Sequence, residues 1–158
     1  MGSSTTKRVV LYRFDRQPLE GIINPSAYLL PESVELITAG GTIQSIPYRE
    51  AKALCFVVDF GAADLFLHHR FFERRPRVAG LWTRFTFLDG EQLDGILPHN
   101  LLEWPVQGYL IIPPRASASR QKVFVPRAAL RATELRGVVG VSSAKQKRTG
   151  EDQLEMFG

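Results

Sequence analysis

Apolar and polar residues alternate along this chain in short runs of period two, and Gly, Pro, Asn and Asp clusters break the runs at close intervals. Residues 8–14 and 83–88 are β-branched or aromatic and lead into turns, so both read as strands. Asp89-Gly90 is a hairpin signal, because glycine adopts the positive φ that a tight turn demands. Asp15-Arg16-Gln17-Pro18 marks the matching turn earlier in the chain, with a proline that cannot donate to a sheet ladder. Gly21 and Gly95 interrupt the strands that follow. A glycine inside a strand marks a bulge or sharp bend, and strong curvature closes a short meander into a small barrel. Further strands are expected at 34–38, 42–46 and 52–58, and again at 109–112, 122–125 and 132–139. A single helical turn is expected before the last strand of each half, at 48–51 and 127–130.

The two halves share more than a pattern. Asp15, Leu19, Gly21 and Ile22 recur as Asp89, Leu93, Gly95 and Ile96, with an acid before each glycine (Glu20, Asp94). Pro47 and Ala53 recur as Pro126 and Ala132, and an insertion in the 113–120 loop accounts for the changed offset. The expected architecture is therefore mainly β: two tandem five-stranded, barrel-like units at 7–58 and 78–140. The connector at 59–77 carries Leu65, Phe66, Leu67, Phe71 and Phe72, too many apolar residues for a free linker. It is expected to form a short helix packed between the units and ended by Pro76. From 141 onward the chain turns polar and basic without period, which reads as a flexible tether. It ends in Gln153-Leu154-Glu155-Met156-Phe157-Gly158.

Composition narrows the function classes. In 158 residues, 44% are hydrophobic and 23% charged, a balance that supports a packed core. No run approaches the ~18 apolar residues of a membrane span, and the polar start lacks the apolar stretch of a signal peptide. Cys55 is the one cysteine, which excludes an internal disulfide and a thiolate zinc cluster. A cytoplasmic protein is the expectation. The net charge of +4 is moderate. Lys145, Lys147 and Arg148 in the tail are balanced by Glu151, Asp152 and Glu155, so the excess resides in the body.

The terminal segment Gln153, Leu154, Met156 and Phe157 resembles the Gln-Leu-x-Leu-Phe peptide by which bacterial proteins dock on the DNA sliding clamp. The resemblance implies that Met156 and Phe157 enter an apolar pocket, Leu154 packs at its rim and Gln153 hydrogen-bonds backbone. Methionine substitutes for leucine at nearly constant volume. The strand, Asp-Gly turn and Leu-acid-Gly-Ile strand resemble the start of Sm-like and other small SH3-like barrels. The duplicated unit is similar to that of a family of uncharacterised bacterial proteins.

Arg70, Arg74, Arg75 and Arg77, with Phe71, Phe72 and Trp82 nearby, form the densest basic patch, where a nucleic-acid backbone and stacked bases could be held weakly. Arg70-x-x-x-Arg74-Arg75 also resembles the arginine approach of PilZ domains, implying a cyclic di-GMP site. The partner Asp/Asn-x-Ser-x-x-Gly motif has no match, since 100–108 lacks the serine. His68, His69 and His99 lack metal-ligand spacing. Cys55 reads as a small buried hydrophobe, and Asp15, Glu20, Asp89 and Asp94 as turn and strand-edge acids. The expectation is a non-enzymatic accessory protein with no cofactor or metal. It would dock on the clamp and hold a double β body near nucleic acid. The alternatives are a PilZ-like cyclic-dinucleotide module and a protein–protein adaptor using exposed strand edges.

Overall fold

The computed structural model describes residues 6–60, 65–117 and 120–140. Five strands fill the first half: β1 (Lys7–Arg13), β2 (Arg16–Ile23), β3 (Ser33–Thr38), β4 (Ile43–Pro47) and β5 (Ala51–Val57). Five more fill the second: β6 (Gly80–Phe87), β7 (Gln92–Leu97), β8 (Gly108–Ile111), β9 (Lys122–Pro126) and β10 (Leu130–Val139). Seven strands form one antiparallel sheet in the order β4-β3-β2-β1-β5-β9-β8, and three form another in the order β10-β6-β7. Paired hydrogen bonds between Ile96 and Ile112 join β7 to the chain just after β8.

Both halves follow one pairing order, in which the fifth strand lies beside the first and the first beside the second. Leu11 pairs with Leu54, and 74 and 79 residues further on Phe85 pairs with Thr133. Val10 and Cys55 correspond in the same way to Arg84 and Glu134. Gly21 and Gly95 also hold corresponding places. A Cβ on Gly21 would lie 2.8 Å from Leu36 Cδ1 and 2.6 Å from the Ile37 carbonyl, and a Cβ on Gly95 would run into the Ile111 side chain. The glycines let the third strand of each half fold closely over the second. The first turn is tight at Asp15 (φ +56°), and the register shift after Leu11 places Gln17 and Pro18 in a bulge, where a missing N–H costs no ladder bond.

The sheets do not close into the expected barrels. A strand has two edges, and β5 uses one on β1 and the other on β9, so it cannot also pair with β4. β9 is likewise enclosed by β8 and β5. The closing bonds of each half are spent on the seam between them. That seam pairs Leu54 with Phe124, Cys55 with Val123 and Phe56 with Lys122, and the two halves therefore share a sheet.

Side chains alternate across the seam and divide the core. Phe124 enters the first half's cluster with Val9, Leu11, Val34, Leu36 and Leu54. Ala53, Cys55 and Val57 face the other way, against Phe85, Phe87, Ile111, Val123 and Val125. Neither half buries its core without strands from the other. The connector contributes Leu65 and Phe66 to the second cluster, with the Phe66 ring edge-on to Phe87 and Tyr12.

The expected connector helix is absent from residues 65–77, which run through turns and bends. The apolar side chains there point to separate places: Leu65 and Phe66 into the core, Leu67 outward, and Phe71 and Phe72 onto the second sheet. Backbone groups bond to strands instead of to a helical ladder, as where the Arg70 carbonyl accepts from Asp94 N at 2.8 Å. The single helical turn appears as a 3-10 turn at Arg127–Ala129, while 48–50 forms a non-helical turn.

Candidate functional site

Among the described residues, Arg70 and Arg75 of the connector reach different partners. Arg70 is half-buried, 3.8 Å from the Glu91 carboxylate and 5.4 Å from the centre of the Phe71 ring. Arg75 donates from Nη2 to the Val138 carbonyl at 2.6 Å, tying the connector to β10. Arg74 and Arg77 are exposed. The aromatic rings beside them are engaged in packing: Phe72 meets Trp82 edge-on at 6.1 Å, and Phe71 lies under the Arg84 guanidinium at 4.5 Å. Gln153, Leu154, Met156 and Phe157 lie outside the described residues.

Beneath this patch sits a group that strand patterning hides. Asp94 is fully buried on β7 and accepts from Arg84 Nε at 2.7 Å and Nη2 at 3.1 Å. The same carboxylate accepts from Trp82 Nε1 and from the Phe72 backbone N–H, each at 3.1 Å. The hydrogen bond to Asp94 raises the already high pKa of Arg84, and the charge-assisted fork fixes both side chains. Every oxygen of the buried carboxylate is thus satisfied, which marks a structural hub that binds connector to sheet. Its counterpart, Glu20, is exposed opposite Val10.

The signal was a cross-strand one. A two-residue loop centred on Asp89-Gly90 would set Phe85 against Asp94. The observed wider loop pairs Phe85 with Leu93 and brings Arg84 opposite Asp94. Gly90 does take positive φ, at +89°, and Asp89 caps the turn by accepting from Glu91 N at 3.0 Å.

A second polar lock joins the halves. Lys52, 4% exposed, donates from Nζ to Asp89 at 2.6 Å and to Glu91, and lies 4.0 Å over the Phe66 ring. Burial pushes the Asp89 carboxyl up, but the Lys52 hydrogen bond, the Glu91 N–H and the Lys52 charge outweigh it and leave the carboxyl below its usual range. Arg120, also buried, donates to the carbonyls of His68 and His69. The histidine rings themselves are exposed, and among the described residues no group of three metal-ligating side chains is found. Burial pushes the Cys55 thiol up to about 12, against a smaller opposing effect of the Arg120 charge, so it is protonated at neutral pH.

Basic and aromatic groups do come together elsewhere. A surface groove of about 430 Å³ is lined by Lys7, Pro25, Tyr28, Phe56, Leu110 and Lys122. Tyr28 and Phe56 meet edge-on at 5.8 Å, and the two lysines belong to strands on either side of β5. No local sequence signal marks these lysines, which are 115 residues apart; the seam brings their strands within one strand of each other. Such a groove can hold an anion while offering an apolar floor to a flat ring.

No helix among the described residues is long and apolar enough to cross a membrane. No curated protein and no solved structure matches the chain. A family model matches residues 5–137, a span that covers both halves and stops short of the terminal peptide, and the chain belongs to this family of unknown function, DUF6982.

Proposed function

We propose that the chain is a non-catalytic accessory protein that docks on the bacterial DNA sliding clamp through Gln153, Leu154, Met156 and Phe157. Its body, a duplicated small β unit of Sm-like or SH3-like type, would then be held close to nucleic acid. What supports this reading is the terminal pattern itself and its place in the sequence beyond the last strand. The last strand ends at Val139, and the docking pattern begins 14 residues later, at Gln153. In the proposed arrangement the residues between them serve as a tether, which would convert a weak second contact into an intramolecular one. The matching strand order and register offsets of the halves support duplication of one unit.

The groove between Lys7 and Lys122 supports the nucleic-acid contact better than the connector does, because Arg70 and Arg75 already engage Glu91 and Val138. The same engagement weighs against the cyclic-dinucleotide reading, for which Arg74 and Arg77 remain exposed. The deciding experiment measures binding of the purified chain to a bacterial clamp, beside a Gln153→Ala, Phe157→Ala double variant. Binding by the native chain and a loss of at least ~10-fold in the variant support the proposal, since anchor truncations typically cost that much. Equal binding by both, or binding by neither, overturns it. The nucleic-acid component is read separately as single-strand affinity lost in Lys7→Glu, Lys122→Glu.

A further inference from the structure

Among the described residues, no strand pairs with the outer edges of β4 and β10. β10 is the more unusual of the two. It is ten residues long and mostly exposed, and it carries Leu135 at 62% exposure, although its counterpart β5 is buried along almost its whole length. Beside it lies an apolar slot of about 190 Å³, lined by Leu81, Phe85, Leu97, Trp104, Thr133 and Leu135 among others.

The first half shows what such a slot holds. Phe85 and Thr133 correspond to Leu11 and Leu54, which surround the Phe124 ring. Phe124 reaches that place because β9 adds to the open edge of β5, setting Phe124 opposite Leu54 and Lys122 opposite Phe56. In the second half the same framework is present and no described residue fills the slot. The geometry points to β10 as a strand-addition site for an extended segment of another protein, carrying a large aromatic or aliphatic side chain opposite Thr133.

Strand addition supplies affinity through main-chain hydrogen bonds and specificity through the one side chain that enters the slot. The outward face of β10 carries Glu134 and Arg136, paired at 2.7 Å, which keeps a charged rim on the side away from the slot. A second copy of this chain is the rival occupant, through its β4. Transferring the seam register by the observed offset sets Ser45 of β4 opposite Thr133, and a serine cannot fill the place that Phe124 fills in the first half. Ile43 would fall opposite Leu135, at the rim. β4 is also short and ends in Pro47, which lacks a donor.

The probe is a labelled peptide of residues 120–127, Arg-Gln-Lys-Val-Phe-Val-Pro-Arg, which reproduces the strand that fills the equivalent place. Titrated with the full-length chain, it is expected to bind saturably with Kd on the order of 10–100 μM and to shift the emission of Trp104. Replacing its phenylalanine by aspartate, or introducing Leu135→Arg in the protein, is expected to weaken binding at least ~10-fold. Leu135 is exposed, so the variant should fold, and unchanged circular dichroism checks that. Absence of saturable binding, or equal binding by Leu135→Arg, overturns the proposal. Concentration-dependent self-association abolished by Ile43→Arg also overturns it, by giving the edge to a second copy.

Discussion

β5 and β10 occupy corresponding places in the two halves and have opposite environments. β5 reads Ala-Lys-Ala-Leu-Cys-Phe-Val, is paired on both edges and is buried everywhere except at Phe56; even Lys52 is buried. β10 reads Leu-Arg-Ala-Thr-Glu-Leu-Arg-Gly-Val-Val and has, among the described residues, one neighbouring strand, β6. The acidic positions after the turns diverge in the opposite sense. Glu20 is exposed in the first half, while Asp94 is fully buried in the second, where Arg84 replaces Val10 across the ladder. One backbone plan therefore carries two different sets of polar contacts. The seam decides which strand is interior, and the connector decides which acid is covered. Corresponding positions in similar units are not energetically equivalent when their neighbours differ.

The sharpest way to break this comparison is to truncate the two acids. Asp94→Ala is expected to destabilise the chain by about 3–5 kcal/mol, because it leaves Arg84, Trp82 Nε1 and the Phe72 N–H without their shared acceptor. Glu20→Ala should change stability by no more than ~0.5 kcal/mol. Urea midpoints of the two variants measure the contrast, and equal losses would show that the halves are balanced after all.

The two glycines give a smaller effect with a finer distinction. Gly21→Ala and Gly95→Ala should each cost ~1–3 kcal/mol through overpacking. Gly95→Ala meets the Ile111 side chain, so a second change, Ile111→Val, should restore part of the loss. Gly21→Ala also meets the Ile37 carbonyl, and trimming Leu36 should leave most of the cost in place. Thermal melts of the two double variants test this directly.

Acid sensitivity is expected to be the mildest effect. A carboxyl whose folded pKa lies below its unfolded value, as at Asp89, adds stability above the unfolded pKa and loses it as pH falls through the folded one. The native chain should therefore weaken as pH drops below ~4. Lys52→Met removes the cation responsible, and the contribution of this site to the acid limb should flatten. An unchanged slope between pH 4 and 2 would assign the acid response to other carboxylates.

The mainly β character and most strand positions were legible from alternation and turn chemistry. Gly90 in its turn and Pro18 near a bulge follow from local backbone rules that hold in any context. Barrel closure was not legible, because it depends on which edge β5 meets first, and alternation is identical whether the neighbour is β4 or β9. The connector's apolar residues suit a helix as well as a packed loop, and tertiary bonds such as Asp94 N to the Arg70 carbonyl hold it in turns and bends instead. Asp94 reads from sequence as a turn or strand-edge acid, because a one-residue difference in loop length changes its cross-strand partner from Phe85 to Arg84.

Sequence alone is enough to place most strands and turns, to show Cys55 as the lone thiol, and to show the residues Gln153-Leu154-Glu155-Met156-Phe157 beyond the last strand. Those properties are local, set by backbone sterics and by which residue stands at each position. The exchange of core residues through the β5–β9 seam, the burial and pairing of Lys52 and Asp94, and an edge of β10 that no described residue pairs with, beside an apolar slot, arise only in the folded chain. These depend on contacts between residues distant in sequence, and a period-two pattern carries no information about which distant strand will supply them.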